Sequence, residues 1–232
     1  MVNVRRIIAL LLIGILTAFT QLQAQGIQEA ASQDFDDAVT LFNNGLFVES
    51  IDEFKHFIQN HENHQLVASA NYYLARAKAK TDSVNKTVYF EEFVNEFPFS
   101  GYSSKLLFDL GQQADSVGHY QQAETYYNRA LKLGLDKKES AKAYYWMGES
   151  AAADSNFAQA RQHFMTLADE YPKSEWAAKA LYARGRLYLS ENKYDSSSVA
   201  FEILKDRYPN NEMTRRVGTA LGESYYQQGR YK

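Results

Sequence analysis

Three histidines and a carboxylate, His56, His61, Glu62 and His64, lie close together in the chain. Imidazole and carboxylate groups bind zinc or nickel when a rigid element fixes them and further groups orient them. Here His61-Glu62-Asn63-His64 falls in a loop, so the cluster reads as an exposed polar segment and no metal is expected. His119 and His163 are isolated and read as surface residues. Adjacent acids stand at Glu91-Glu92 and Asp169-Glu170. Neighbours on a helix point about 100° apart, so neither pair faces one substrate as glycosidase carboxylates must. The sequence has neither a G-x-S-x-G elbow nor a glycine-rich phosphate loop. Cysteine is absent, which removes thiolate nucleophiles, disulfides, cysteine-bound zinc and any anchor built on an N-terminal cysteine. Catalysis is not expected, and neither is a cofactor.

Another chemistry recurs at a fixed interval. Lys105, Lys142, Lys179 and Arg216 follow one another at 37 residues. Three places after each of the lysines stands a ring, Phe108, Tyr145 and Tyr182, with Phe35 and Tyr72 in the same slot upstream. Residues three apart share one face of a helix, so a basic ladder runs beside an aromatic stripe. Such a face can hold an extended segment that carries carboxylates, or a free C-terminus. The same residues can equally be long cations lying over apolar surface with their heads in water. Glu149 and Glu223 fall on this face too, so it is not uniformly basic. The candidate partner-binding residues are Tyr72, Lys105, Phe108, Lys142, Tyr145, Lys179, Tyr182, Arg186 and Arg216.

The elements that carry them keep the same register. A small residue recurs at Ala38, Ala75, Gly111, Gly148, Gly185 and Gly222, with steps of 37, 36, 37, 37 and 37. An aromatic keeps pace at Phe54, Phe90, Tyr127, Phe164 and Phe201. Ser140 to Ala153 has apolar residues at helical spacing in Ala143, Tyr144, Met147 and Ala151. Asp154-Ser155-Asn156 interrupts the pattern with turn and cap residues. Phe157, Ala160, Phe164 and Leu167 form a second stripe, and Pro172 ends it near Tyr171. Each unit is therefore helix, turn, helix, loop. The fold class is all-α, a right-handed solenoid of stacked pairs that bury their apolar faces against neighbours. This also explains 17 Tyr and 14 Phe, most of them needed as core.

The offsets resemble the tetratricopeptide repeat: Gly148, Ala160, Phe164 and Pro172 fit all four marker positions. Gly185, Phe201 and Pro209 fit with Ser197 in the alanine slot, and Gly111, Ala123 and Tyr127 fit with Leu135 in place of proline. The first unit departs more, with Ala38, Ser50, Phe54 and Glu62. The second has Ala75, Phe90 and Pro98, with one residue missing between its helices. Ala143-Tyr144-Tyr145-Trp146-Met147-Gly148-Glu149 and the endings Phe97-Pro98-Phe99-Ser100, Tyr171-Pro172-Lys173-Ser174 and Tyr208-Pro209-Asn210-Asn211 resemble a subclass of exported repeats. These are found in the Tol–Pal-associated cell-division coordinator and in the lipoprotein that helps assemble outer-membrane β-barrels. The coordinator's coiled coil and the lipoprotein's cysteine are missing here, as is the Lys/Asn placement of the chaperone-tail carboxylate clamp.

Arg5 and Arg6, the apolar run Ile7 to Phe19 and Ala24 read as a secretory signal peptide over 1–24, with an uncleaved anchor as the alternative. The repeat array occupies 25–232: about five repeats and the first helix of a sixth. Arg215 to Gln228 is that helix, and the array reads as the N-terminal part of a longer one. Nothing after residue 24 is apolar for long enough to span a bilayer. A net charge of −3 gives no field that attracts nucleic acid. The resemblance implies a non-catalytic scaffold of the Gram-negative periplasm, peripheral to the outer membrane. It would bind other envelope proteins or their extended segments in a groove lined by first helices, as a monomer or a homo-oligomer. The alternatives are a wall-glycan binder and the repeat region of a larger protein with a separate functional domain.

Overall fold

The computed structural model describes the backbone of residues 2–229. Side chains are described from Thr20 onward, apart from Ala24 and Ile27. The leader expected over 1–24 therefore lies largely outside the described side chains. Eleven helices follow one another, with no strand among the described residues: α1 (Val2–Asn43), α2 (Phe47–Asn60), α3 (Val67–Thr81), α4 (Lys86–Glu96), α5 (Gly101–Ser116), α6 (Tyr120–Leu133), α7 (Lys137–Ala153), α8 (Phe157–Glu170), α9 (Ala177–Ser190), α10 (Tyr194–Arg207) and α11 (Glu212–Gln227). No helix among the described residues is long and apolar enough to cross a membrane. The chain packs as two units, divided between Phe97 and Pro98.

One backbone device closes the turn inside nearly every pair. Gly45, Gly118, Ser155 and Asn192 all have left-handed backbone, with φ between 57° and 79°, as does Gly229 after α11. The next residue's N–H reaches back five residues: Leu46 to Leu41 O, His119 to Ala114 O, Asn156 to Ala151 O and Lys193 to Tyr188 O. This ties down carbonyls that the helix end leaves open. Only the second pair lacks the left-handed residue, and it is the pair with one residue missing. There the Asp82 carboxylate accepts from Asn85 N–H, Asn85 Nδ2 and the Tyr89 hydroxyl instead. The helix that follows, α4, has 11 residues against 14 in α2, α6, α8 and α10.

In the first unit the core is aromatic. Phe54 and Phe57 are fully buried, and Phe35 and Phe42 nearly so. Tyr73 stacks on Phe54 at 5.6 Å and meets Phe42 edge-on at 5.3 Å, geometries that ring quadrupoles favour. The histidine loop joins this core rather than lying free in solvent. His64 is 9% exposed and edge-on to Phe57, and His61 lies 5.0 Å from the same ring. His61 Nε2 is 3.3 Å from Asp34 Oδ2. Among the described residues no three ligand-type side chains converge as a metal site would need.

In the second unit the glycine register has a steric cause. A Cβ at Gly148 would sit 2.4 Å from the Phe164 ring, one at Gly185 2.4 Å from Phe201, and one at Gly111 2.6 Å from Tyr127. Each ring is fully buried, so the paired helices approach at a distance that only glycine permits. Ser197 stands in the alanine slot with its buried hydroxyl satisfied, donating to Gly185 O at 3.0 Å. Tyr127, in a slot otherwise held by phenylalanine, uses its hydroxyl as well. It donates to Asp115 Oδ2 at 2.7 Å, and Ser150 donates to the other oxygen. This knot joins α5, α6 and α7. His163 is half-buried rather than a surface residue: its Nε2 lies 3.2 Å from Glu124 Oε1, and burial pushes its pKa below the ordinary imidazole value.

Candidate functional site

The first helices of the second unit form one continuous face. Successive members, α5 with α7, α7 with α9 and α9 with α11, approach to within 8 Å between Cα atoms. The second helices α6, α8 and α10 do not draw together to the same extent. Helices closer on one side than on the other curve the layer, and the first helices take its inner side. Eight of the nine candidate residues lie on these helices: Lys105 and Phe108 on α5, Lys142 and Tyr145 on α7, Lys179, Tyr182 and Arg186 on α9, and Arg216 on α11.

Tyr72 belongs to α3 in the first unit. Its hydroxyl accepts from Arg76 Nη1 at 3.2 Å, and the guanidinium lies 5.3 Å over its ring.

The ring row rests on the second helices. Phe108 packs on Tyr127 at 5.4 Å, Tyr145 on Phe164 at 5.8 Å and Tyr182 on Phe201 at 5.9 Å. Phe108 is 7% exposed, so it serves the core more than the face. Tyr145 and Tyr182 remain half-exposed. Trp176, which the repeat spacing does not single out, enlarges the shelf at 4.9 Å from Tyr145.

The cations are not equivalent. Lys142 Nζ lies 5.0 Å over the Phe108 ring, joining the two rows across neighbouring repeats. Lys179 Nζ lies 4.3 Å over Trp176. Arg216 Nη2 donates to Glu212 Oε1 at 2.6 Å. Cation–π contacts of this kind hold a charged head over an aromatic surface for about 0.5–1 kcal/mol at exposed sites. Lys105 and Arg186 have no carboxylate within salt-bridge reach among the described residues.

The acids of this face are partly occupied too. Glu149 shares a hydrogen bond with the Tyr145 hydroxyl, and burial raises its carboxyl pKa above the ordinary value. Burial, with the Glu149 charge beside it, pushes the Tyr145 phenol up to about 12.

Three candidate residues from two helices meet in one place. Tyr182 and Arg186 of α9 and Arg216 of α11 line a cleft of about 380 Å³, with Leu189, Ser190, Thr219, Ala220 and Glu223. Its walls combine a ring, aliphatic surface, hydroxyls and charge, the mixture that suits side chains of a bound peptide. A larger cleft, about 560 Å³, lies along the start of α7 and the α8–α9 loop. There Lys137, Lys138 and Lys173 stand with Glu170 and Glu175 in one shell, and none of the candidate residues lines it.

Stacked helix pairs with a concave row of first helices define a helical-repeat fold. Tetratricopeptide-repeat models match residues 108–175 and 179–211, so this part of the chain carries tetratricopeptide repeats. No curated protein matches it significantly. Among solved structures it is similar to a tetratricopeptide repeat protein from Parabacteroides merdae, at 15% identity and a TM-score of 0.57, covering 87% of this chain and 75% of that one. It is also similar to MamA from Desulfovibrio magneticus, at 14% identity and a TM-score of 0.55, covering 78% of this chain and 97% of that one. YrrB, a TPR protein described as having an unusual peptide-binding site, matches at 15% identity and a TM-score of 0.53, covering 80% and 90%. At such identities the likeness is one of fold.

Proposed function

We propose that this protein is a non-catalytic scaffold that holds an extended segment of a partner protein along α5, α7, α9 and α11. The observation that carries this reading is the cleft between α9 and α11. The repeat spacing selects Tyr182 and Arg216, the candidate Arg186 follows the register glycine Gly185, and the fold brings all three around one cavity. A tetratricopeptide-repeat protein of similar fold, YrrB, is described as having a peptide-binding site, which supports the same use of the surface here.

The basic start, apolar run and small residue of 1–24 support export. The aromatic-Pro endings and their resemblance to envelope repeats support a periplasmic place, peripheral to the outer membrane, among proteins of division, wall remodelling or barrel assembly. A photo-crosslinking residue at Tyr182 or Thr219, introduced in intact cells, tests the reading. Capture of a defined protein from these positions, and not from Val199 on the exposed side of α10, is the expected result. Equal capture from all three positions refutes it. Capture of wall glycan instead of protein moves the function to polymer binding.

A further inference from the structure

The position that follows the register glycine reads Gln112, Glu149, Arg186 and Glu223 along the face. One repeat therefore reverses the sign of its neighbours, and it does so at the cleft. Lys142 is held over Phe108, Lys179 over Trp176, and Arg216 by Glu212. Arg186 is the cleft cation that no described carboxylate neutralises within the 4 Å reach of an ion pair. Among the described residues the other arginines of this unit, Arg215 aside, are engaged: Arg161 with Glu191, Arg207 with Asp169, and Arg129 and Arg184 over tyrosine rings. A guanidinium offers five donors in a planar fork that matches a carboxylate. Here Arg186 shares its cleft with the apolar surface of Leu189, Ala220 and the Tyr182 ring.

From this charge complementarity we propose that the cleft is a reader of one internal aspartate or glutamate in an extended protein segment. The acid's carboxylate pairs with Arg186, and the apolar side chain next to it in the partner lies on Tyr182 and Leu189. Arg216, already neutralised, shapes the wall, and Thr219 supplies a hydroxyl beside the carboxylate. Glu223 and Glu149 flank the site, so a run of acids fits less well than one acid beside an apolar residue. The selectivity belongs to this repeat and not to the ladder as a whole. It rests on the face described above as the binding surface.

Selection from a random peptide display library, with every peptide embedded between fixed flanks so that no free C-terminus is presented, tests the proposal. Purified protein is the bait, and Arg186→Glu and Arg186→Lys are parallel baits. The expected pool is enriched in Asp or Glu beside an apolar residue. Its members should bind Arg186→Gln about ten-fold more weakly, the loss of one charge-assisted pair. Arg186→Lys should fall between the two, and Lys132→Glu on α6 should bind as the parent does. Arg186 is exposed, and far-UV circular dichroism of each variant verifies its fold. A pool without acids, a pool that binds Arg186→Glu equally well, or no enrichment at all overturns the proposal. So does a peptide that binds only when its terminal carboxylate is free. Crosslinking from Tyr182 separates the two levels: capture without acid preference refutes the Arg186 reader alone, and no specific capture refutes the binding face itself.

Discussion

The same substitution at two register positions should change stability in opposite directions. Gly148→Ala places a Cβ 2.4 Å from the Phe164 ring, where no real Cβ sits. Phe164 is fully buried and packed on Tyr145 at 5.8 Å, so its ring has nowhere to withdraw. Overpacking of this kind costs about 1–3 kcal/mol, against a helix-propensity gain of about 0.8–1 kcal/mol for replacing glycine by alanine. The net effect is a loss of up to about 2 kcal/mol. For a chain of this size each kcal/mol moves Tm by about 2–4 °C. Gly222 keeps the same register, yet among the described residues an added Cβ there meets nothing within 4 Å. Gly222→Ala therefore keeps only the propensity gain, and α11 becomes more stable by about 0.5–1 kcal/mol. Thermal melts by far-UV circular dichroism, with hydrogen exchange on α7 and α11, measure both. In the Gly148→Ala background, Phe164→Leu should cost less than it does in the parent, since the smaller side chain relieves the clash. The cycle should show a coupling of about 0.5–3 kcal/mol. If the two glycine variants shift stability in the same direction by the same amount, the steric account of the register is wrong.

Three further outcomes follow from individual contacts. Ser155→Gly should raise stability by about 0.5–1 kcal/mol in urea melts, because Ser155 sits at φ 61° where a Cβ is strained, and Gly118 already fills the equivalent turn. Tyr127→Phe should cost about 1–2 kcal/mol, because it leaves one oxygen of the half-buried Asp115 without its 2.7 Å donor. Burial raises the folded-state pKa of both Asp115 and Glu149. Such carboxyls favour the folded state when protonated, so their contribution declines as pH rises from about 4 through their folded values. Urea titrations across this range should show Glu149→Gln with a flatter pH dependence than the parent, and a steeper one would reverse the sign.

Some of this design is legible in one dimension because it is periodic. The glycine and the ring that sits against it recur at 37 residues, and packing demands both at every step. The turn is less legible, since its left-handed residue is Gly118 in one repeat, Ser155 in the next and Asn192 in the third. Residue type varies there while backbone conformation does not. The Asp115 knot draws on three helices, and no local pattern marks it. His64 looks like loop polarity in sequence, yet the loop folds back on Phe57, and polar residue types alone cannot predict that. The division at Pro98 likewise has no composition signal. For the binding face, spacing identified the positions but not their states. Lys142 and Lys179 look alike in sequence, and only geometry shows that both heads already lie over rings while Arg186 has no carboxylate partner.

The most direct measurement is an amide hydrogen-exchange footprint of the purified protein with and without the partner segment identified by crosslinking at Tyr182. Added protection should appear along α7, α9 and α11, with no change on the exposed flank of α10 around Val199. Protection that appears on α8 and α10 while α9 is unaffected would show that the partner binds the opposite side of the layer.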